Sequence, residues 1–159
     1  GLLHSGVPGF VCMLDIDHFK RINDRYGHPV GDQVLRAFYQ ASQQGRGDNE
    51  TVGRLGGEEW LLVVTQAGTS AATGWFERMR GHFHQQTLPE LARHDWPTFS
   101  MGVCALRPGL TVSEMLAEAD AALYQAKAQG RDRLVVAPPP RGDAVVDIDT
   151  PAARVSVQR

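Results

Sequence analysis

Two strand-like runs, Thr51 to Leu55 and Trp60 to Val64, are separated by Gly56-Gly57-Glu58-Glu59. Glycine supplies the backbone freedom that a tight reversal needs, and the runs on either side are apolar enough to pair. A hairpin is therefore predicted in the middle of the chain. Two strands alone are marginal in water, so this hairpin needs further strands and an apolar cover.

The remaining sequence supplies both. Phe10 to Leu14 is a short continuous apolar run of the buried-strand kind, and it ends abruptly at Asp15-Ile16-Asp17. His18 to Tyr26 reads as a short helix, and Gly27-His28-Pro29-Val30-Gly31 as a turn. From Asp32, in the N-cap position, Val34, Leu35, Phe38 and Ala41 follow helical spacing. Ser70 to His84 predicts another helix, with Ala72, Trp75, Phe76, Met79 and Phe83 on one side. Thr98 to Ala105 predicts a strand, and Val112, Met115, Leu116, Ala119, Ala122, Leu123 and Ala126 a long helix with Ser113 near its start and Gly130 at its end. Leu134 to Ala137 reads as a last strand. The order is β-α-β-β-α-β-α-β. It predicts an α+β fold of the ferredoxin-like, palm-like kind: a central mixed, mainly antiparallel sheet flanked by helices, with one sheet face covered by them.

The 159 residues suit one domain, expected over 10–137. Residues 1–9 read as an N-terminal loop or remnant. Residues 138–159, opened by Pro138-Pro139-Pro140, read as a flexible Pro-rich tail. The formal net charge of −2 argues against a general nucleic-acid binder. It leaves room for a small phosphate-bearing ligand, which needs only a few well-placed cations. No apolar run is long enough to span a membrane and no signal peptide is visible, so no membrane contact by this domain is expected. Cys12 and Cys104 sit in apolar runs and read as buried free thiols, which fits a reducing, cytoplasmic setting.

The chemistry-bearing residues gather at strand ends. Asp15 and Asp17 close the first strand, and Glu58 and Glu59 occupy the hairpin tip. If those strands are neighbours, the carboxylates meet at one sheet edge, and they repel unless a cation lies between them. A hard divalent ion with a preference for oxygen ligands and phosphate is the natural occupant. Of the sixteen basic residues only Lys20 and Lys127 are lysines.

Asp15-Ile16-Asp17-His18-Phe19-Lys20, with Ile22-Asn23-Asp24, Tyr26-Gly27-His28 and Gly31-Asp32, resembles the opening signature of GGDEF domains. Gly56-Gly57-Glu58-Glu59-Trp60 resembles the motif that names the family, in a Glu-Glu form. Ala119-Asp120, Ala122-Leu123-Tyr124, Ala126-Lys127 and Gly130-Arg131 resemble its closing signature. The resemblance runs from about Phe10 to Ala137 and implies a nucleotide-cyclase-like palm fold with diguanylate cyclase activity. In that reaction two GTP molecules are joined into cyclic di-GMP, with release of two pyrophosphates, by a homodimer that brings two GTP-loaded domains face to face. By the same resemblance, Asp15, Glu58 and the carbonyl of Ile16 ligate magnesium, with manganese as an alternative. Glu59 helps to deprotonate the 3′-hydroxyl or completes the metal shell. Asn23 and Asp32 read the guanine, and Leu35 packs on it. The amides of His18, Phe19 and Lys20 cradle the terminal phosphates. Gly56 and Gly57 let the hairpin backbone approach them, and Lys127 and Arg131 neutralise them from one helix face.

The chain departs from the family pattern in three places. The segment Asp-x-Leu-Thr-Gly-Leu-x-Asn-Arg that usually precedes the first strand has no counterpart, so a truncated chain with an upstream sensory or regulatory domain missing is expected. The Arg-x-x-Asp of the product-inhibition site is replaced by Gly47 and Glu50, with Arg46 one place out of register, so that site is expected to be lost. Trp60 stands where Phe is usual. Trp60 implies modest repacking with no change in chemistry, while the first two departures leave a second expectation, a weak or inactive domain that acts as a GTP or cyclic di-GMP receptor.

Overall fold

The computed structural model describes residues 8–138. The tail expected over 138–159 and the remnant expected over 1–9 therefore lie almost wholly outside the described residues. The first strand, β1 (Gly9–Ile16), is buried along its whole length. Helices α1 (Phe19–Tyr26) and α2 (His28–Gln43) follow, then β2 (Glu50–Gly56) and β3 (Glu59–Thr65). A short 3-10 turn (Thr69–Ala71) leads into α3 (Ala72–Gln85), a second (Arg93–Asp95) leads to β4 (Phe99–Ala105), and α4 (Val112–Ala128) and β5 (Leu134–Val136) complete the fold. The strand order is β2-β3-β1-β4-β5. Only the β4–β5 pair is parallel, so the sheet is mixed and mainly antiparallel, as expected.

The expected cover on one face is corrected: helices pack on both. Phe10, Cys12, Leu14 and Ile16 alternate toward α1, α2 and α3, while Val11 and Met13 face α4 through Met115, Ala119 and Leu123. This is why β1 is a continuous apolar run, since a central strand buried on both faces has no polar side. The larger core centres on Phe38, whose ring lies 5.2 Å from Trp60, 5.1 Å from Phe83 and 5.3 Å from Phe99. On the other face α4 crosses β4 so closely that a Cβ on Gly102 would run into the backbone of Ala119, Ala122 and Leu123.

Three local expectations are also corrected. The element order has two helices between β1 and β2. The segment read as a turn over Gly27–Gly31 is mostly helix: Gly27 is the N-cap with φ 90 and Pro29 sits in the first turn, where its missing N–H leaves no bond unmade. Asp32 is therefore on the body of α2 rather than at its cap. The long helix starts with a capping box in which Thr111 accepts from the Glu114 amide (3.1 Å) and Glu114 accepts from the Thr111 amide (3.0 Å). That helix ends at Ala128, and Arg131 has φ 65, so Lys127 and Arg131 do not share one continuous helix face. Cys12 and Cys104 are free and buried, as expected, and burial pushes the Cys104 thiol up to about 12. No helix among the described residues is long and apolar enough to cross a membrane.

Candidate functional site

The sheet register brings the acidic residues together. In the antiparallel β1–β3 pair Asp15 is directly opposite Glu59, on the face that α4 covers. The hairpin turns through Gly57, at φ 53, and Glu58. Arg54 Nε donates to the Gly57 carbonyl at 2.7 Å and closes the turn. Above Gly56 and Gly57 the space is open, for a Cβ there would meet no atom within 4 Å.

Like charges directly opposite on neighbouring strands repel. The carboxyl of Asp15 is accordingly held above the usual carboxylate range. Burial is the main cause, Lys127 opposes it, and Glu58 and Glu59 reinforce it. Asp15 is only 8% exposed. Its Oδ2 accepts from Lys127 Nζ, reaching over from α4, while its Oδ1 is buried with no hydrogen-bond partner. A buried carboxylate oxygen left without a donor, facing two further carboxylates, has the donor set that a hard divalent cation requires. Among the described residues no group of three acidic, imidazole or thiol side chains lies close enough to hold one. Asp15, Glu58 and Glu59 have the oxygen chemistry a metal would need, and Ile16 follows Asp15 at the same strand end, paired with Phe99.

Asp17 is not part of this group. It is buried, and it accepts from Thr98 Oγ1, Ser100 Oγ and the Asp132 amide. Its place among the edge carboxylates is therefore corrected.

The candidate anion end of the site is the start of α1. His18 is its N-cap in a left-handed conformation, with φ 55. The amides of His18, Phe19 and Lys20 fall in the first turn, where helix geometry provides no acceptor. The Lys20 side chain instead pairs with Asp24 at 2.9 Å on the exposed face. The imidazole of His18 has its pKa pushed down, first by desolvation and then by the nearby guanidinium of Arg131. The Asp132 amide donates to Asp17, the residue before His18, which brings the neighbouring Arg131 to the same end as the α1 amides.

Asn23 on α1 and Asp32 on α2 flank the junction of the two helices. Asn23 Oδ1 is buried and has no partner. It lies so close over Gly31 that a Cβ there would overlap it. Asp32 and Leu35 line a cavity of about 440 Å³ with Arg36, Tyr39, Gln40, Arg54 and Trp60. Arg54 is a site residue that sequence reasoning missed; the signal was its place two residues before the paired glycines. Arg80 and Asp132 were also missed, and nothing local in the sequence marks them.

Comparison with known proteins gives one answer. Residues 3–133 match the family described as "Diguanylate cyclase, GGDEF domain". The chain is 38% identical over 132 residues to the probable diguanylate cyclase DgcT of Escherichia coli K12, covering 81% of this chain and 29% of that protein. It is 35% identical over 137 residues to diguanylate cyclase VdcA of Vibrio cholerae, covering 84% and 40%. The chain thus spans well under half the length of these relatives. Among solved structures, the active GGEEF domain of a diguanylate cyclase from Vibrio cholerae superposes with a TM-score of 0.75 at 31% identity, covering 86% of each chain. The GGDEF domain of DgcB from Caulobacter crescentus, in complex with c-di-GMP, gives 0.74 at 31% identity, covering 84% of this chain and 80% of that one.

Proposed function

The chain belongs to the GGDEF family of diguanylate cyclases, and from that premise we propose that it condenses two GTP molecules into cyclic di-GMP, using magnesium, as a homodimer in the cytoplasm. One observation carries this reading: the buried, unpartnered Oδ1 of Asp15 facing Glu58 and Glu59 beside Lys127. Asp15, Glu58 and the carbonyl of Ile16 would hold the divalent metal. When bound, it lowers the pKa of an attacking hydroxyl and offsets charge on the leaving pyrophosphate.

The chain's own residues do the rest. Glu59, opposite Asp15, stands where it can take the proton of the 3′-hydroxyl. Asn23 Oδ1 accepts from the guanine edge, whose N1–H and N2–H suit the Asp32 carboxylate equally well. Leu35 gives the base an apolar wall. The α1 amides and Arg131 meet the terminal phosphates, and Lys127, ion-paired with Asp15, would offset phosphate charge from α4 were that carboxylate to hold the metal. Each domain presents one GTP, so a second copy must bring the other into line, which makes association part of the rate. Of the solved relatives, SiaD of Pseudomonas aeruginosa is complexed with its activator SiaC.

The test is turnover. The protein, incubated with GTP and magnesium at several protein concentrations, should release pyrophosphate and cyclic di-GMP with a rate per domain that rises with concentration. GTP binding with no product in any condition makes it a receptor, and a cyclic mononucleotide overturns the two-GTP mechanism.

A further inference from the structure

We propose that Asp17 is a positioning residue: its buried carboxylate holds the Gly130–Arg133 turn in a left-handed backbone and so aims Arg131 at the phosphate end of α1. The inference rests on the reading that Arg131 meets GTP phosphates.

Asp17 is 4% exposed. Its Oδ1 accepts from Ser100 Oγ at 2.7 Å, and its Oδ2 accepts from Thr98 Oγ1 at 2.7 Å and from the Asp132 amide at 3.1 Å. That amide is also 3.2 Å from Ser100 Oγ. A carboxylate buried among neutral donors is expensive unless its geometry is used. Here it is used on one segment. Arg131 and Asp132 have φ 65 and 52, two consecutive non-glycine residues in a region that side chains disfavour. Such a pair persists only where its surroundings over-determine it. Three anchors do so. The Arg131 amide donates to the Ala126 carbonyl at 3.0 Å and ties the turn to α4. Asp17 ties the next amide to the sheet. Arg80 on α3 clamps the Asp132 carboxylate at 2.5 Å. Arg131 thus immediately precedes an amide bonded to Asp17, the residue before the His18 N-cap of α1. A Gly130–Arg133 segment released from Asp17 would relax to ordinary φ values and swing that guanidinium away.

The experiment has two readouts. Amide hydrogen exchange at Asp132, with no nucleotide present, reads the turn itself. Equilibrium binding of GTP against guanosine reads the aim of Arg131, because guanosine has no phosphates. Asp17→Ala should speed exchange at Asp132 at least about 10-fold and weaken GTP about 10-fold, with guanosine unchanged, the scale of one lost charge-assisted contact. Asp17→Asn, which can still accept from the Asp132 amide, should recover most of both. In an Arg131→Ala background the further loss of GTP affinity from Asp17→Ala should fall below about 2-fold. Arg80→Ala, at a half-exposed site, gives the same pattern in weaker form should Asp17→Ala not fold. Unchanged exchange at Asp132, or GTP losses that simply add in the double variant, overturns the proposal. An Arg131→Ala protein that binds GTP normally overturns instead the phosphate role of Arg131, and that outcome is read from the single variant.

Discussion

The ammonium of Lys127 on α4 is ion-paired with the carboxylate of Asp15 at the end of β1, across 112 positions of sequence. The pair does not neutralise the edge, because Glu58 and Glu59 still face it and Asp15 Oδ1 still lacks a partner. Burial, partly opposed by Lys127 and reinforced by Glu58 and Glu59, therefore raises the carboxyl pKa on folding. A raised pKa means that the native state holds this proton more tightly than the unfolded chain does. The resulting stabilisation is complete below the ordinary carboxylate range and is lost as pH rises through the raised value. At neutral pH the fold carries the cost of an imperfectly compensated charge. In chelator-treated buffer at pH 7.5, Asp15→Asn should hold or raise the melting temperature, and with magnesium restored its turnover should be at least about 100-fold lower than that of the unaltered protein. A clear drop in melting temperature would speak against the balance drawn here.

The same argument gives a metal prediction. Magnesium should raise the melting temperature of the unaltered protein by linkage, and the increment should shrink as pH falls toward the carboxylate range. Thermal scans with and without the ion, repeated on Asp15→Asn, check it. The increment should vanish in that variant.

Two buried glycines separate folding from binding. A Cβ on Gly102 would meet backbone of α4, which cannot step aside, so Gly102→Ala should cost about 3 kcal/mol or prevent folding. A Cβ on Gly31 would meet the end of the Asn23 side chain, which can move. Gly31→Ala should therefore cost only about 1 kcal/mol by urea denaturation, yet raise the KM for GTP at least about 5-fold by displacing Asn23, the group proposed to read the base.

Much of this was legible in the chain itself. The hairpin, the buried first strand and the long last helix follow from local pattern, since each residue's partner lies one strand or one turn away. What was not legible depends on distant partners. Gly31 sits inside a helix because Asn23, from the preceding helix, fills the space a side chain would take. The start of α2 was hidden because Gly27 and Pro29 read as a turn, although both are tolerated at a helix start. Arg131 leaves the helical path because Asp17, 115 positions away from Asp132, captures the amide that follows. Asp17 was grouped with the edge carboxylates because spacing cannot tell an exposed strand-end carboxylate from one that hydrogen bonds have already saturated. The covering of both sheet faces was present in the sequence, in the unbroken Phe10–Leu14 run.

Product inhibition should be weak. In place of the usual Arg-x-x-Asp, Gly47 offers no charge, and the Glu50 carboxylate is engaged by Arg78 at 2.7 Å. The Arg46 guanidinium is turned onto the carbonyls of Gly47 and Glu50, at 3.4 and 2.8 Å. No arginine fork is left at this corner to grip a product phosphate bidentately. Progress curves should stay linear as cyclic di-GMP accumulates, apart from simple competition with GTP. Non-competitive inhibition at low product concentration would show that another arrangement of these arginines serves.

Trp60 tests how far the core tolerates the family's usual phenylalanine. Its ring is tilted against Phe38 at 5.2 Å and stacked on Tyr39 at 22° and 6.2 Å, so truncation to Phe removes apolar contact. Its Nε1, however, is buried with no acceptor, and Phe removes that unsatisfied donor as well. The two effects oppose each other, each of about 1–2 kcal/mol. Trp60→Phe should therefore change unfolding free energy by less than about 1.5 kcal/mol. Trp60 is one residue beyond Glu59 and points to the opposite sheet face, into the larger core. The kcat should then be unchanged within about 2-fold, since no carboxylate moves. A stability loss near that of a core Trp→Ala change, roughly 3–5 kcal/mol, would mean that the indole N–H finds a partner, and a tenfold loss of kcat would mean that the hairpin tip depends on this side chain for its position.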